Sequence, residues 1–329
     1  MSVFKDKRVL ITGGTGSFGH AIVPRLLKSG AEKVIVFSRD EMKQWDMAQR
    51  FSKNVGYFIG DVRDRDRLSQ AFRGVDIVIH AAATKIVPAA EYNPFECIKT
   101  NVNGAMNVIQ AAIDQEVESV IALSTDKASS PANLYGATKL ISDKVFVSAN
   151  GSLAGGLKTK FSVVRYGNVV GSRGSIVPLF LKQREQGKIT ITDPGMTRFI
   201  LTLDQGIDLV ETALETMVGG EIYVKKIPSM KLMDIARTLA PDADIDIIGI
   251  RPGEKLHEQM IAVEEAPYTY FYKEHYRILP QIHDWYRDES RIAGGAPVEP
   301  TFKYSSDTNS EWLSRNGFLE ILKTLNVEI

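Results

Sequence analysis

Short blocks of nearly continuous apolar residues punctuate the first half of the chain. They are "RVLIT" (8–12), "KVIVFS" (33–38), "VGYFIGDV" (55–62), "VDIVIHAAA" (75–83), "VESVIALST" (117–125) and "KFSVVRYGNVVG" (160–171). Each is short enough to be a strand buried on both faces. Between them apolar positions recur at helical spacing. "FGHAIVPRLLKSG" (18–30), for example, reads as an amphipathic helix stopped by Gly30. Strands alternating with helices predict a parallel sheet covered on both sides, the doubly wound Rossmann-type α/β architecture. The rhythm changes near residue 170. "SIVPLFLKQREQGKITITDPGMTRFI" (175–200) carries turn signals and short mixed elements, and "LTLDQGIDLVETALETM" (201–217) is a clear helix. From about Glu221 the alternation loosens, and "PTFKYSSDTNSEWLSRNG" (300–317) is polar and turn-rich. The expected organisation is a dinucleotide-binding domain over 1–170, with a helix near 203–217 returning to it. A smaller substrate-binding domain lies mainly over 171–329.

Composition adds limits. The 329 residues are 44% hydrophobic and 24% charged, ordinary values for a globular chain able to bury a sizeable core. Net charge is zero, so nothing in the total points to nucleic acid or an anionic membrane surface as partner. The single cysteine, Cys97, leaves no disulfide within the chain and fits a structural role in a reducing compartment. The N-terminus runs straight into a strand, and no apolar run reaches the about 18 residues needed to span a bilayer. A cytoplasmic protein is expected. The five histidines (His20, His80, His257, His275, His283) show no metal-ligand spacing, so no metal site is expected.

Candidate chemistry begins at "TGGTGSFG" (12–19), between the first strand and the first helix. Glycines at such a turn let a backbone approach a pyrophosphate while the helix N-terminus faces its charge. Gly13, Thr15, Gly16, Ser17, Phe18 and Gly19 are therefore candidate cofactor contacts. The second strand ends in Ser38-Arg39, where an NAD-binding chain usually carries an acid. Arginine can grip a 2′-phosphate, so the reading is NADP, held by Ser38 and Arg39 with help from Lys43. Asp40 and Glu41 pull the other way. Asp61, followed by Val62, ends the third strand where an adenine amino group would lie.

"LSTDKASSPANLYGATKL" (123–140) places Tyr135 and Lys139 one helical turn apart. A tyrosine near pKa 10 is a poor base at neutral pH, but a neighbouring ammonium stabilises its phenolate. Such a tyrosine can take a proton from a sugar hydroxyl while hydride leaves the same carbon. Lys139 would also hold the nicotinamide ribose. Asp126 and Lys127 stand just upstream, an acid and an amine side by side.

The glycine turn, "HAAA" (80–83), "NVNGAMNVIQAA" from Asn101 and the "ST…YGATK" block resemble an extended short-chain dehydrogenase/reductase over nearly the whole chain. "STDKA", "KIVPAAEYNPFECIKTNV" and "IRPGEKLHE" resemble more narrowly the inverting UDP-N-acetylglucosamine 4,6-dehydratases. That group starts pseudaminic acid synthesis for flagellin glycosylation, and related members feed capsule or lipopolysaccharide sugars. Retaining hexose 4,6-dehydratases carry an aspartate–glutamate pair after the serine–threonine, whereas here the pair is Asp126-Lys127. The resemblance implies the following chemistry. Tyr135, helped by Lys139, takes the 4-hydroxyl proton as hydride passes from carbon 4 to NADP+, with Thr125 bonded to the 4-oxygen. Lys127, made neutral by burial and nearby lysines, removes the carbon-5 proton. Asp126, with Tyr135 or Lys127, protonates the departing 6-hydroxyl, hydride returns to carbon 6, and carbon 5 is reprotonated on the opposite face. Ala81, Ala83 and Lys85 would lie at the nicotinamide, and Lys85 near the sugar as well. For a UDP-sugar, Asn168 and Arg251 would hold the diphosphate and Glu254 the uridine ribose. Arg198 is a further phosphate candidate, and Thr190 and Thr192 would line the uridine. A homo-oligomer is implied too. An epimerase or reductase of the same fold, and a non-catalytic NADP-sensing regulator, are the competing readings.

Overall fold

The computed structural model describes residues 2–151, 158–172, 175–325 and 327. Its first half alternates strand and helix: β1 (Arg8–Thr12), α1 (Ser17–Lys28), β2 (Lys33–Ser38), α2 (Glu41–Ala48), β3 (Val55–Ile59), α3 (Arg65–Ala71) and β4 (Ile77–His80). Two short helices, α4 (Val87–Tyr92) and α5 (Pro94–Ile98), lead through a π-helical turn (Lys99–Asn103) into α6 (Gly104–Asp114). Then come β5 (Ser119–Thr125), α7 (Leu134–Ala149) and β6 (Lys160–Tyr166). These strands pair in parallel in the order β6-β5-β4-β1-β2-β3. The order reverses beside β1, and in open α/β sheets a ligand crevice opens at such a switch point, outside the carboxyl ends of the strands.

Both faces are covered because the strands are apolar throughout. On one face Val9, Ile11, Val34 and Val36 pack with Ile22, Val23 and Leu26 of α1. On the other, Leu10, Val78 and Val120 pack with Leu68 of α3, Val108 of α6 and Phe146 of α7. Later elements join this sheet. Helix α9 (Leu203–Thr216) buries Ile207, Val210 and Ala213 against the α1 side, where Arg25 grips Asp208 and Glu211 at 2.5 and 2.7 Å. Its start is fixed by a capping box, in which Gln205 N–H donates to the Thr202 hydroxyl and the Gln205 side chain accepts from Thr202 N–H. Strand β10 (Ile222–Lys225) adds in parallel to β6. Then β15 (His275–Ile278), β14 (Thr269–Tyr272) and β16 (Ala296–Pro297) extend the sheet antiparallel, to ten strands in all.

A separate core forms among α8 (Ile176–Arg184), α10 (Leu232–Leu239) and α12 (Arg315–Thr324), with β8 (Lys188–Ile191) and β9 (Thr197–Leu201). The segment read as short mixed elements thus contains a nine-residue helix and two strands. The strand expected over 160–171 breaks at Gly167, where an added Cβ would meet Phe199 at 2.9 Å, and resumes as the two-residue β7 (Asn168–Val169). Strands β11 (Ser229–Lys231), β12 (Asp244–Ile247), β13 (Gln259–Ile261) and β17 (Tyr304–Ser305), with the short α11 (Glu289–Ile292), complete the described elements. No helix among the described residues is long and apolar enough to cross a membrane.

Candidate active site

A cleft of about 790 Å³ runs along the carboxyl ends of the parallel strands. Gly13, Thr15, Gly16, Ser17 and Phe18 line one wall. Gly13 has φ +66°, and a Cβ there would lie 2.9 Å from the Ala82 backbone, so only glycine fits. Gly19 is outside the lining. Its added Cβ would come 1.8 Å from the Gly14 carbonyl oxygen, so its bareness lets α1 sit against the turn. No side chain caps the start of α1, which faces this wall. The turn and the helix start thus form a cradle that side chains would fill, and this fits a pyrophosphate.

Ser38, Arg39, Lys43, Asp61 and Val62 lie at one end of the cleft. Ser38 is buried and its hydroxyl accepts from Gln44 Nε2 at 3.0 Å. The Arg39 side chain is 63% exposed and only 3.8 Å from Asp61. Lys43 is tied to the Asp40 carboxylate. Burial works against the Asp61 charge, but Arg63, at 2.6 and 2.9 Å, outweighs it and holds the carboxyl below its usual range. Asp61 is therefore engaged by arginines as well as facing the cleft.

The other end is buried. Ala81, Ala83 and Lys85 follow β4 and line it, and burial lowers the Lys85 amine. Asn101, from the π-turn, holds this segment: it accepts from Thr84 N–H at 2.8 Å and donates to Thr84 O and Thr138 Oγ1 at 3.0 Å. His80 is a core histidine, its Nδ1 2.8 Å from Thr12 Oγ1, and burial keeps it neutral with a pKa of about 3.

Thr125, Asp126, Lys127, Tyr135 and Lys139 all meet at this end, with Asn168 beside them. Strand β5 ends at Thr125 and the chain makes one 3-10 turn, Asp126–Ala128. Asn133 then caps α7 by accepting from Gly136 N–H at 2.8 Å. The close approach of α7 to this turn is what Gly136 permits, since its Cβ would meet the Lys127 carbonyl oxygen at 2.2 Å. Thr125 Oγ1 donates to Asp126 Oδ1 at 2.8 Å, and Lys127 Nζ donates to the same oxygen at 3.2 Å. Asp126 is 1% exposed, and its Oδ2 and the Oδ1 of Asn168 are buried with no partner among the described residues. Burial, then repulsion from Glu258, raises the Asp126 carboxyl above the usual carboxylate range, against the pull of Lys127. Lys139 Nζ donates to the Leu123 carbonyl at 2.8 Å, and burial lowers its pKa, partly offset by Asp143. The Tyr135 hydroxyl is pushed up to about 12 by burial, with Lys127 and a hydrogen bond to Thr125 opposing the rise.

Lys127 is a cation acting on the Tyr135 hydroxyl, while Lys139 Nζ is bonded to the Leu123 carbonyl. One expectation is corrected. Lys127 itself was expected to be lowered by burial and nearby lysines. Burial does act that way, but the carboxylates of Asp126 and Glu258 outweigh it and the amine is raised above its ordinary value. Glu258 Oε1 accepts from Lys127 Nζ at 3.0 Å, from 131 residues away in sequence. No motif spacing links the two.

The remaining candidates lie outside the cleft lining. Thr190 is engaged by Gln183, whose Nε2 donates to its hydroxyl at 2.7 Å, and the Thr192 hydroxyl points to Met196 Sδ at 3.0 Å. Arg198 donates to the carbonyls of Thr197 and Leu256 at 2.7 and 3.1 Å, and its Nε is 3.7 Å from Glu258. Arg251 and Glu254, 3.8 Å apart, sit on an exposed loop. That loop docks beside the Asp126–Ala128 turn and the start of α7, because Asn133 Nδ2 donates to Gly253 O at 2.8 Å and Lys255 Nζ to Ser129 O at 2.6 Å. Sequence reasoning also missed a buried support. Arg165 donates to Glu265 at 3.0 Å and Asp143 at 3.4 Å, and Asp143 accepts from Ser124 at 2.8 Å.

A family model described as polysaccharide biosynthesis protein matches residues 9–280. The chain is 53% identical to a Campylobacter jejuni protein named UDP-N-acetylglucosamine 4,6-dehydratase (inverting), over 97% of this chain and 98% of that one. It is 41% identical to a Rickettsia conorii protein named UDP-glucose 4-epimerase, over 98% and 97%. Among solved structures, Pen from Bacillus thuringiensis superposes with a TM-score of 0.89 at 37% identity, covering 98% of this chain and 99% of that one. The chain belongs to the polysaccharide biosynthesis protein family, with the short-chain dehydrogenase/reductase fold and full-length similarity to proteins named inverting UDP-N-acetylglucosamine 4,6-dehydratase.

Proposed function

We propose that the protein is a 5-inverting UDP-N-acetylglucosamine 4,6-dehydratase, a hydro-lyase. Its product would be UDP-2-acetamido-2,6-dideoxy-β-L-arabino-hexos-4-ulose. The observation that carries this reading is the acid–amine pair of buried Asp126 and partly buried Lys127 in the cleft beside Thr125 and Tyr135. An epimerase needs a base at the 4-hydroxyl but no acid for a leaving group. A carboxyl whose hold on a proton burial raises above the usual carboxylate range suits delivery of a proton to a departing 6-hydroxyl.

The cofactor assigned is NADP, which when bound supplies a hydride acceptor and donor that ends each cycle as it began. The glycine turn and the start of α1 would hold its pyrophosphate, and Tyr135 and Lys139 its nicotinamide ribose. Arg39, at the cleft rim, is the reason for choosing the 2′-phosphate form, since it can turn from its long contact with Asp61. Tyr135, once its own phenolic proton has left to solvent and Lys127 stabilises the phenolate, takes the 4-hydroxyl proton, and Thr125 donates to the 4-oxygen. Lys127 works at carbon 5 after losing its own proton, and Asp126 protonates the 6-oxygen. Asn168 and Arg251 would hold the diphosphate, Glu254 the uridine ribose, and Lys85 would lie at the nicotinamide and sugar; Arg251 and Glu254 sit on the loop docked on residues 129–133. Arg198, 3.7 Å from Glu258, lies outside the cleft lining, and Thr190 would reach a uridine only by leaving Gln183. The protein works as a cytoplasmic homo-oligomer in this reading, and Tyr92 and Phe95, 88% and 76% exposed, offer an apolar face for assembly.

The second reading is a nucleotide-sugar 4-epimerase, favoured by the relatives that carry that name. Proton NMR of the purified protein with UDP-N-acetylglucosamine in deuterated buffer, without added NADP, separates the two. The dehydratase gives a new methyl signal, a 4-keto sugar of L-arabino configuration and deuterium at carbon 5. A 4-epimer with its 6-hydroxyl intact would overturn the dehydratase in favour of the epimerase.

A further inference from the structure

Glu258 immediately precedes β13 and is buried, 3% exposed. Its backbone is fixed to the strand region around β17: Glu258 N–H donates to Ser306 Oγ at 2.9 Å, and Ser306 N–H donates to Glu258 O at 2.8 Å. One carboxylate oxygen accepts from Lys127 at 3.0 Å and lies 3.7 Å from Arg198, and the other has no partner among the described residues. Glu258 does not line the cleft. It reaches the chemistry through the Lys127 amine.

We propose that Glu258 is a positioning residue for the reaction at carbon 5: it grips the Lys127 amine from the C-terminal half of the chain, and its charge, balanced by Arg198, governs when that amine can accept a proton. This rests on the dehydratase reading for its chemistry but not for its test. Retaining dehydratases carry a second carboxylate next to the aspartate in sequence. Here an amine holds that place, and the fold returns a carboxylate to its side from elsewhere. Lys127 must lose a proton before it can take one from carbon 5, and two carboxylates resist that loss. The groups facing the pair are Asp126 and Tyr135 on the cleft side, and Arg198 and Lys255 from the elements packed behind. Removing the Glu258 charge releases the amine, whereas removing the Arg198 charge tightens the grip. The two changes therefore act with opposite sign.

The test follows Lys127 directly, in protein labelled with carbon-13 at lysine Cε, with its signal assigned through Lys127→Arg. In the wild type the signal should stay at its ammonium position beyond the ordinary lysine midpoint of about 10.4. In Glu258→Gln it should move about one pH unit or more lower than in the wild type, whereas Glu258→Asp should keep the wild-type behaviour. In Arg198→Gln it should resist titration at least as strongly as in the wild type. The rising limb of kcat against pH should follow the same order, with KM little changed. An unmoved Lys127 signal in folded Glu258→Gln overturns the proposal. If that variant fails to fold, earlier titration of Lys127 in Arg198→Gln overturns it instead. Failure of the dehydratase reading looks different: the wild type would form no 4-keto product, while the lysine signals would still report on the grip.

Discussion

The two ends of the cleft are built on different physics. At the end proposed for the adenosine, Arg39 is mostly exposed, touches Asp61 only at 3.8 Å, and Lys43 pairs with its neighbour Asp40. At the catalytic end Asp126, Lys139, Asp143, Arg165 and Glu258 are all buried, and ion pairs or hydrogen bonds run from Thr125 through Asp126 and Lys127 to Glu258. Exposed charges are screened and recognise a ligand at little expense to the fold. Buried charges hold altered protonation states, but each partner must stay in place or a charge is left stranded. On the proposed function affinity would be set at the exposed end and reactivity at the buried one, so mutations at the two ends should fail in different ways.

The largest effect should come from Asp126→Asn. An amide of nearly the same shape cannot give a proton to the leaving hydroxyl. Turnover to the methyl-bearing product should fall by about 10²–10⁴-fold, with KM changed far less. A fall in affinity with kcat intact would mean that Asp126 binds substrate rather than acting as an acid, and would erase the difference between the two ends. Initial rates followed by proton NMR over a range of substrate concentrations decide this.

Next in size is Arg165→Met, which touches no cleft residue by hydrogen bond. It strands Asp143 and Glu265, and breaking a buried ion pair from one side costs about 3–5 kcal/mol. Urea unfolding of the wild type and variant measures it. Arg39→Ala, at the other end, should leave the unfolding midpoint where it is. A large loss of stability there would contradict the exposed character assigned to that end.

The same division explains what could be read from the sequence. The parallel sheet, the glycine turn and the helix carrying Tyr135 and Lys139 were legible because each is a local pattern: an apolar run, a turn before a helix, two side chains one helical turn apart. The catalytic pair was legible as adjacent letters, Asp126 and Lys127. Their protonation was not. The charge state of Lys127 depends on Glu258, brought in from 131 residues away by the pairing of β13 with β17. Glu258 is the last letter of "IRPGEKLHE", and nothing in that segment says which way its carboxylate points. The helix α8 was hidden for a different reason. "IVPLFLKQR" has Pro178 in its first turn, where proline is tolerated, but in a polar, glycine-punctuated context it reads as a turn. Thr190 shows another failure: it was singled out for its hydroxyl, but the claim on that hydroxyl by Gln183, from the preceding helix, was not legible.

At the adenosine end the effects should be on affinity alone. Arg39→Ala removes charge-assisted hydrogen bonds to a 2′-phosphate, each worth about 1.5–3 kcal/mol, so NADP+ binding should weaken by roughly tenfold to a hundredfold. NAD+ binding should hardly change. Titration calorimetry of cofactor-stripped protein with both dinucleotides gives the ratio. Equal losses for both would move Arg39 from the 2′-phosphate to the shared part of the cofactor.

The smallest effect is expected at Lys43. Its amine is bound to Asp40, which also caps α2 by accepting from Lys43 N–H at 3.0 Å. Lys43→Ala keeps that backbone cap and removes only an exposed ion pair, so the unfolding midpoint should not move. Its gain toward a 2′-phosphate is reduced by having to leave Asp40, and NADP+ affinity should fall by less than about threefold. A loss as large as that of Arg39→Ala would mean that Lys43 swings from Asp40 to the cofactor. Measuring the double variant Arg39→Ala/Lys43→Ala separates these cases. Two residues sharing one phosphate give a combined loss that departs from the sum of the single losses, whereas an idle Lys43 leaves the double variant equal to Arg39→Ala alone.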